Sequence, residues 1–288
     1  MPTTNERLGY APHDRLLLLH ADDVGMCHSA NVATLRAMTE GGVLTASVMV
    51  PCPWFPEIAQ YAREHPERDF GIHLTHTSEW QTYRWGPVAS RGDVPGLLDD
   101  EGFLHRRTQQ TAENATPAEI EIEIRAQIAR ARQFGMTPTH MDSHMDAMMS
   151  RADFAEVYIR LGKELGVLPM LTATERTLGR LAELGHTRES LEAKGYLFID
   201  QRTRSSRAPT YEERRRDYHD AVRALPPGLT LMIMHLNTDD PEAQAITSDW
   251  PNRFNELRIF TEPAWRALLE AEGVKLIGYR PLAALFNA

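Results

Sequence analysis

Short apolar runs alternate with longer amphipathic stretches along the whole chain. Eight of the apolar runs have the length and composition of β-strands, and they cover residues 15–20, 44–50, 70–74, 139–142, 167–171, 196–199, 230–235 and 275–279. Between them, helical spacing of apolar positions predicts helices over 31–40, 57–64, 117–134, 154–165, 211–225 and 264–271. Alternating strands and helices are typical of βα units around a parallel sheet. Eight strands predict an α/β fold of the (β/α) barrel type.

Polar residues stand at the carboxyl ends of several predicted strands. Asp22 and Asp23 follow the first run, and His73, His144 and His235 lie at the ends of three later ones. Such strand ends converge on one face of a barrel, where carboxylates and imidazoles can hold a divalent metal and its hydrolytic water. Each residue alone has a structural alternative, since an aspartate can cap the next helix and a lone histidine can be buried against a backbone carbonyl.

The densest group of titratable residues lies in segment 139–146. Its His140, Asp142, His144 and Asp146 have even spacing, so on a strand they would share one face. Burying four such groups without a metal or water would be costly. We therefore expect His144 to be a metal ligand and Asp142 to be an outer partner that fixes the tautomer of a ligating imidazole.

Two segments, 75–115 and 236–257, are longer and less regular than ordinary βα connections. Each follows a candidate histidine, and long loops at this end of barrel strands form substrate pockets. Trp80, Tyr83 and Trp85 in the first segment have two interpretations. Their rings could form a pocket wall that stacks on a sugar, or they could pack together to hold the loop.

Composition narrows the possible partners. The 288 residues carry a hydrophobic fraction of 42%, which is sufficient for one large core, so we predict a single barrel domain over 1–288. The formal net charge of -9 argues against nucleic acid and anionic membranes as partners. Cys27 and Cys52 form no CxxC pair, and the chain shows no signal-like or spanning segment. We expect a cytoplasmic protein that acts on a small molecule, with a homodimer as a possible assembly.

The chain resembles the YdjC/ChbG carbohydrate deacetylases, which are related to the NodB-like polysaccharide deacetylases. The resemblance is carried, in this order, by HADDVGM (20–26) with Asn31, GVLTASVM (42–49), GIHLT (71–75) and HMDSH (140–144). It implies a deformed TIM-like (β/α) barrel that removes an acetyl group from an N-acetylated sugar with one divalent metal. Zn²⁺ is the first expectation for that ion, and Mg²⁺ or another divalent ion is the alternative.

The resemblance also implies residue roles. The family's metal-binding residues fall on Asp23, His73 and His144, its general base on Asp22 and its late acid histidine on His235. Asp249 and Arg253, in the segment SDWPNR (248–253), resemble a polar motif that shapes the site. Asp146 departs from the pattern, because many members have a histidine there. The alternatives to a sugar deacetylase are a hydrolase of another amide or ester bond and a non-catalytic carbohydrate-binding protein.

Overall fold

A curled parallel sheet forms the centre of the fold. The structure is a computed structural model that describes residues 3–288. Its strands are β1 (Arg15–Val24), β2 (Thr45–Val48), β3 (Asp69–Leu74), β4 (His140–Ser143), β5 (Leu168–Pro169), β6 (Leu171–Thr172), β7 (Phe198–Ile199), β8 (Gln201–Arg202), β9 (Gly228–His235) and β10 (Lys275–Leu276). The main sheet has the order β5-β4-β3-β2-β1-β9-β8, and β10 pairs with the start of β1.

Two interrupted strands carry the pairing around the rest of the barrel. Met170 alone separates β5 from β6, and Asp200 alone separates β7 from β8. Because β5 pairs with β4, β6 with β7, and β8 with β9, the pairings continue from one side of the sheet to the other. The result is the deformed barrel that the sequence predicted. The single strand predicted over 167–171 is two short pieces, β5 and β6, and the strand predicted over 196–199 is β7, which β8 follows beyond the predicted range.

Helices cover the outside of the sheet and fill several of its connections. They are α1 (Thr4–Arg7), α2 (His28–Arg36), α3 (Phe55–Glu64), α4 (Thr108–Asn114), α5 (Pro117–Gln133), α6 (Ala152–Leu165), α7 (Glu175–Glu183), α8 (Arg188–Glu192), α9 (Tyr211–Arg223), α10 (Pro241–Ile246), α11 (Trp250–Thr261), α12 (Pro263–Ala271) and α13 (Tyr279–Phe286). A π turn, Ala37–Gly41, extends α2, and 3-10 turns cover Pro95–Leu97 and His144–Met149. In the described part of the chain, no helix is long and apolar enough to cross a membrane.

The prediction of an irregular segment over 236–257 is wrong for much of its length, because α10 and α11 occupy it. The signals that begin these helices are local. Asp240 caps α10, with its side chain accepting a hydrogen bond from Ala243 N at 2.9 Å, and a proline opens the first turn of each helix. The segment 75–115 keeps its irregular character apart from a 3-10 turn and α4.

Gly71 allows two neighbouring strands to pack closely inside the barrel. A Cβ at this position would lie 2.4 Å from Nε2 of the buried His140. Gly71→Ala is therefore expected to lower the free energy of unfolding by about 1–3 kcal/mol through overpacking, as measured by urea denaturation. Gly179→Ala is the matched control, because a Cβ there meets no atom within 4 Å. It lies in α7, where alanine should stabilise by about 0.5–1 kcal/mol. Equal effects of the two changes would refute this explanation.

Candidate metal centre

The ends of β1, β3, β4 and β9 bring the predicted site residues together. The strand register pairs Asp22 with His235 and His73 with Asp142. These residues, with Asp23, His144 and Arg253, line a cavity of about 270 Å³. The ends of these four strands therefore meet at one face of the barrel, as the sequence predicted.

The two adjacent aspartates both face this cavity because the end of β1 is irregular. In a regular strand Asp22 and Asp23 would point to opposite faces. The pairing of β1 with β2 shifts between Ala21 and Val24, as in a β-bulge, and Asp23 has a left-handed φ of 62°. Bulges re-aim side chains, and aspartate tolerates this conformation better than most residues. Such backbone strain costs about 1–3 kcal/mol and is typical of functional sites.

Three buried donor atoms converge on one point. Asp23 Oδ1 lies 3.4 Å from His73 Nε2 and 3.3 Å from His144 Nδ1, and the two imidazole nitrogens are 3.2 Å apart. A tetrahedral ion with ligand bonds of 2.0–2.1 Å separates its ligand atoms by about 3.3 Å. Octahedral Mg²⁺ at the same bond length separates adjacent ligands by about 2.9 Å. The donor set therefore fits a divalent cation, with a spacing closer to tetrahedral coordination.

The electrostatic surroundings keep Asp23 ionised. Burial by itself would raise the pKa of Asp23, but the Arg253 guanidinium and the neighbouring His144 and His73 imidazoles hold that pKa well below its usual range. Arg253 Nη1 lies 2.8 Å from Asp23 Oδ2. The other oxygen, Oδ1, is buried and has no hydrogen-bond partner within residues 3–288. A buried carboxylate oxygen without a partner is costly, and a bound cation would satisfy it.

Outer partners orient both imidazoles. His73 Nδ1 lies 2.7 Å from Asp142 Oδ1, and Ser47 Oγ donates to Asp142 Oδ2 at 2.8 Å. The contact with Asp142 makes Nδ1 the protonated nitrogen of His73, so the lone pair of Nε2 faces the centre and can bind a metal ion. Asp142 thus lies where the sequence analysis expected an outer partner.

His144 has an outer partner that the sequence analysis missed. Its Nε2 lies 2.9 Å from Glu79 Oε2, so its Nδ1 faces the centre. Glu79 comes from the irregular segment after β3, where no periodicity fixes the direction of a side chain. The one sequence signal is that Glu79 is the first acidic residue after His73.

Asp22 and His235 line the same cavity as the three donor atoms, with Asp22 buried and His235 partly open to solvent. Asp22 Oδ2 is 3.8 Å from His235 Nε2, and 36% of the His235 side chain is exposed to solvent. The backbone N–H of His235 donates to the buried Glu256 Oε2 at 2.9 Å, which fixes the end of β9. Both side chains line the same cavity as the three donor atoms, so they can exchange protons with a substrate bound there.

Arg253 is braced by residues of two segments. Asp249, at the start of α11, holds its carboxylate 3.7 Å from Arg253 Nε and is half exposed. The Arg253 guanidinium lies over the Trp80 ring at 5.6 Å from the ring centre, within cation–π range. The position of Arg253 against Asp23 thus depends on α11 and on the loop that follows β3.

The three loop aromatics contact the protein itself. Trp85 is 3% exposed, and its Nε1 donates to Thr77 O at 2.9 Å. Trp80 Nε1 donates to Met26 Sδ at 3.4 Å, and Tyr83 donates its hydroxyl to Met26 O at 2.5 Å. These contacts hold the loop against the barrel, which was one of the two interpretations. A pocket-wall role towards a sugar stays a prediction.

Asp146 lies where the cavity meets a larger groove of about 1260 Å³. Its carboxylate oxygens are 3.6 Å from Arg176 Nη1 and 3.7 Å from Arg202 Nη1. Met145 and Asp146 have left-handed φ values of 53° and 54°, which turn the chain sharply after His144. The residue that departs from the expected histidine therefore lies at the rim of the cavity and not among the three converging donors.

Known structures share this barrel. The chain resembles a protein from Enterococcus faecalis described as a putative cellobiose-phosphate cleavage protein, with a TM-score of 0.78 and 23% identity over 93% of this chain and 99% of that one. A structure described as T48 deacetylase with substrate matches with a TM-score of 0.50 and 14% identity over 94% of this chain and 92% of that chain. At these identities the likeness shows the fold, which is the barrel of the polysaccharide-deacetylase type.

Sequence comparison identifies the family. The family profile described as YdjC-like protein matches residues 16–271, and the chain belongs to that family. It is 33% identical over 268 residues to a protein of Thermus thermophilus named carbohydrate deacetylase, covering 92% of each chain. A protein of Enterococcus faecalis with the same name is 24% identical over 94% of this chain and 99% of its own length. The resemblance stated from the motifs is confirmed.

Proposed function

We propose that this protein is a metal-dependent hydrolase that removes the acetyl group from an N-acetylated amino sugar or oligosaccharide and releases acetate. The observation that carries the proposal is the convergence of three donor atoms beside Asp22 and His235. Its family membership and the names of its relatives support a carbohydrate as the substrate.

Asp23, His73 and His144 would hold the divalent ion through Oδ1, Nε2 and Nδ1, and Zn²⁺ is the first candidate from their spacing. When bound, such an ion lowers the pKa of a water molecule and polarises the acetamide carbonyl. Asp142 and Glu79 fix the tautomers and the orientations of the two imidazoles, because each accepts the proton on the far ring nitrogen. Arg253 holds Asp23 through the oxygen that does not face the ion.

Asp22 and His235 would move the protons. Asp22 does not share in the three-donor set, so its carboxylate is available to accept a proton from the attacking water. His235 is partly open to solvent and can donate a proton to the nitrogen that leaves as the free amine. The acetyl carbon–nitrogen bond breaks, and the products are acetate and an amino sugar.

Product analysis tests the type of bond that is cleaved. The protein should release equal amounts of acetate and free amine from an N-acetylated amino sugar, as measured by acetate assay and amine labelling. The matched substrates are the same sugar with an O-acetyl or an N-formyl group. Preferential hydrolysis of either of these would contradict the proposal and identify a different amide or ester hydrolase. Binding of the sugar without release would identify a carbohydrate-binding protein.

Glu79→Ala should weaken metal affinity by about 10–100-fold, the usual cost of losing an outer partner of a ligating histidine. The measurement is competition with a chelator of known affinity. Glu79→Gln keeps an acceptor for the ring N–H and should lose less. Glu101→Ala is the control, because Glu101 belongs to the same loop, is exposed, and makes only a 3.7 Å contact with Arg84. Unchanged affinity in Glu79→Ala would remove Glu79 from the metal centre.

A further inference from the structure

His20 is a fully buried imidazole beneath the candidate metal centre, and the proposed mechanism has not given it a role. Its Nε2 lies 3.0 Å from Asp142 Oδ2 and 3.2 Å from Asp22 Oδ1. The same nitrogen is 3.1 Å from Ser47 Oγ. One ring nitrogen therefore stands between the carboxylate proposed as general base and the carboxylate that orients His73.

The position of His20 follows from the strand. His20 and Asp22 are two residues apart on β1, so they share the face that looks into the barrel. Burial by itself would lower the pKa of His20, but contacts with the Asp142 and Asp22 carboxylates outweigh it and raise that pKa to about 9. A protonated ring nitrogen between two carboxylates attracts both.

The two carboxylates depend on His20 to different degrees. Asp142 also accepts one hydrogen bond from Ser47 Oγ and one from His73 Nδ1, so it stays held without His20. Asp22 Oδ1 has no hydrogen-bond partner by strict geometry within residues 3–288, and the other basic side chain near this carboxylate is His235, at 3.8 Å from Oδ2. Of the two histidines beside the Asp22 carboxylate, His20 is therefore the closer one and the one that is fully buried.

We propose that His20 is a positioning residue that holds Asp22 apart from the metal donors and aims it as the general base. This inference rests on the proposed function. It explains how two adjacent aspartates keep different roles. The left-handed turn and Arg253 direct Asp23 to the ion, and His20 holds the Asp22 carboxylate away from the ion. The loss of His20 would let the Asp22 carboxylate rotate away from the attacking water.

The test compares kcat, KM and metal affinity in the wild-type protein, His20→Leu and His20→Gln, with an N-acetylated amino sugar that the wild type hydrolyses. His20→Leu removes the ring nitrogen that contacts Asp22 and should lower kcat by about 10–100-fold, with KM and metal affinity unchanged. His20→Gln places an amide N–H near the original Nε2 and should recover most of the lost kcat. A purely structural role for His20 would not produce a selective loss of kcat that the amide repairs.

His140→Leu is the matched control, because His140 is buried in the same layer, 5.0 Å from His20 between ring centres, and contacts Thr139 instead of Asp22. It should keep the wild-type kcat. If His20→Leu does not fold, His20→Asn takes its place, since its amide is one carbon too short to reach Asp22. The inference would be overturned if His20→Leu or His20→Asn keeps the wild-type kcat, or if His20→Gln loses as much kcat as that variant. A fall in metal affinity that parallels the fall in kcat would also overturn it. A wild-type protein that releases no acetate would instead refute the proposed function, and the inference with it.

Discussion

Asp22→Asn should lower kcat by about 10²–10⁴-fold, the usual contribution of a general base, while one metal ion stays bound. Asparagine has nearly the same shape as aspartate, so it preserves packing against His20, but its amide cannot accept the proton of the attacking water. The three converging donor atoms do not include Asp22. Metal content by elemental analysis and kcat from acetate release are the two measurements.

The control for this variant is Asp239→Asn. Asp239 is an exposed carboxylate four residues after His235 and contacts Gln244, so its replacement should leave kcat unchanged. Loss of the metal in Asp22→Asn would mean that the two adjacent aspartates have exchanged roles. A kcat close to that of the wild type would mean that another group accepts the proton.

His144→Gln should remove most of the metal affinity, with a loss larger than the 10–100-fold that an outer partner costs. The change deletes the Nδ1 donor and leaves Asp23 and His73 without their third partner. A ligand that binds only the folded state stabilises it by about 2.7 kcal/mol at one hundred times its dissociation constant. Added Zn²⁺ should therefore raise the melting temperature of the wild-type protein and have little effect on the variant.

His76→Gln is the matched control for this prediction. His76 is also a buried histidine of the same region, but it is not one of the three converging residues. Burial lowers the pKa of His76 to about 4, so it is neutral, as a ligating imidazole would be. Its variant should keep the Zn²⁺-dependent rise in melting temperature. An equal loss of that rise in both variants would indicate a general disturbance of the fold.

The sequence predicted the regular elements of this barrel well. The helix predicted over 117–134 is α5, Pro117–Gln133, because Thr116 and Glu119 form a capping box at its start and Pro117 opens its first turn. The run 15–20 begins β1, because a continuous apolar stretch is typical of a strand that is buried on both faces. In both cases the local signal and the packing agree.

The interrupted strands could not be predicted from their residues. Leu168–Pro169 and Leu171–Thr172 pair with different neighbours, and this division depends on how the barrel closes. Gln201–Arg202 is exposed and polar, so it lacks the apolar pattern that marks a buried strand. Tertiary pairing, rather than local preference, makes these residues strands.

The candidate site shows the same division. The strand ends carrying His73 and His235 could be predicted from apolar runs, because such ends meet in a parallel barrel. The direction of Asp23 could not, since strand alternation places it opposite Asp22 and only the bulge and left-handed backbone reverse that. Glu79 contacts the site through tertiary packing, which no residue spacing in the chain encodes, whereas strand alternation places His20 on the same face as Asp22.

Acetate release by chelated protein, before and after a metal ion is restored, tests whether the protein is a metal-dependent carbohydrate deacetylase. The substrates are N-acetylated mono-, di- and oligosaccharides, and Zn²⁺ and Mg²⁺ are added separately to the same preparation. We expect no release from the chelated protein and renewed release with Zn²⁺ from at least one substrate. Unchanged release after complete chelation, or none from any substrate with the ion bound, would contradict the assignment of a metal-dependent carbohydrate deacetylase.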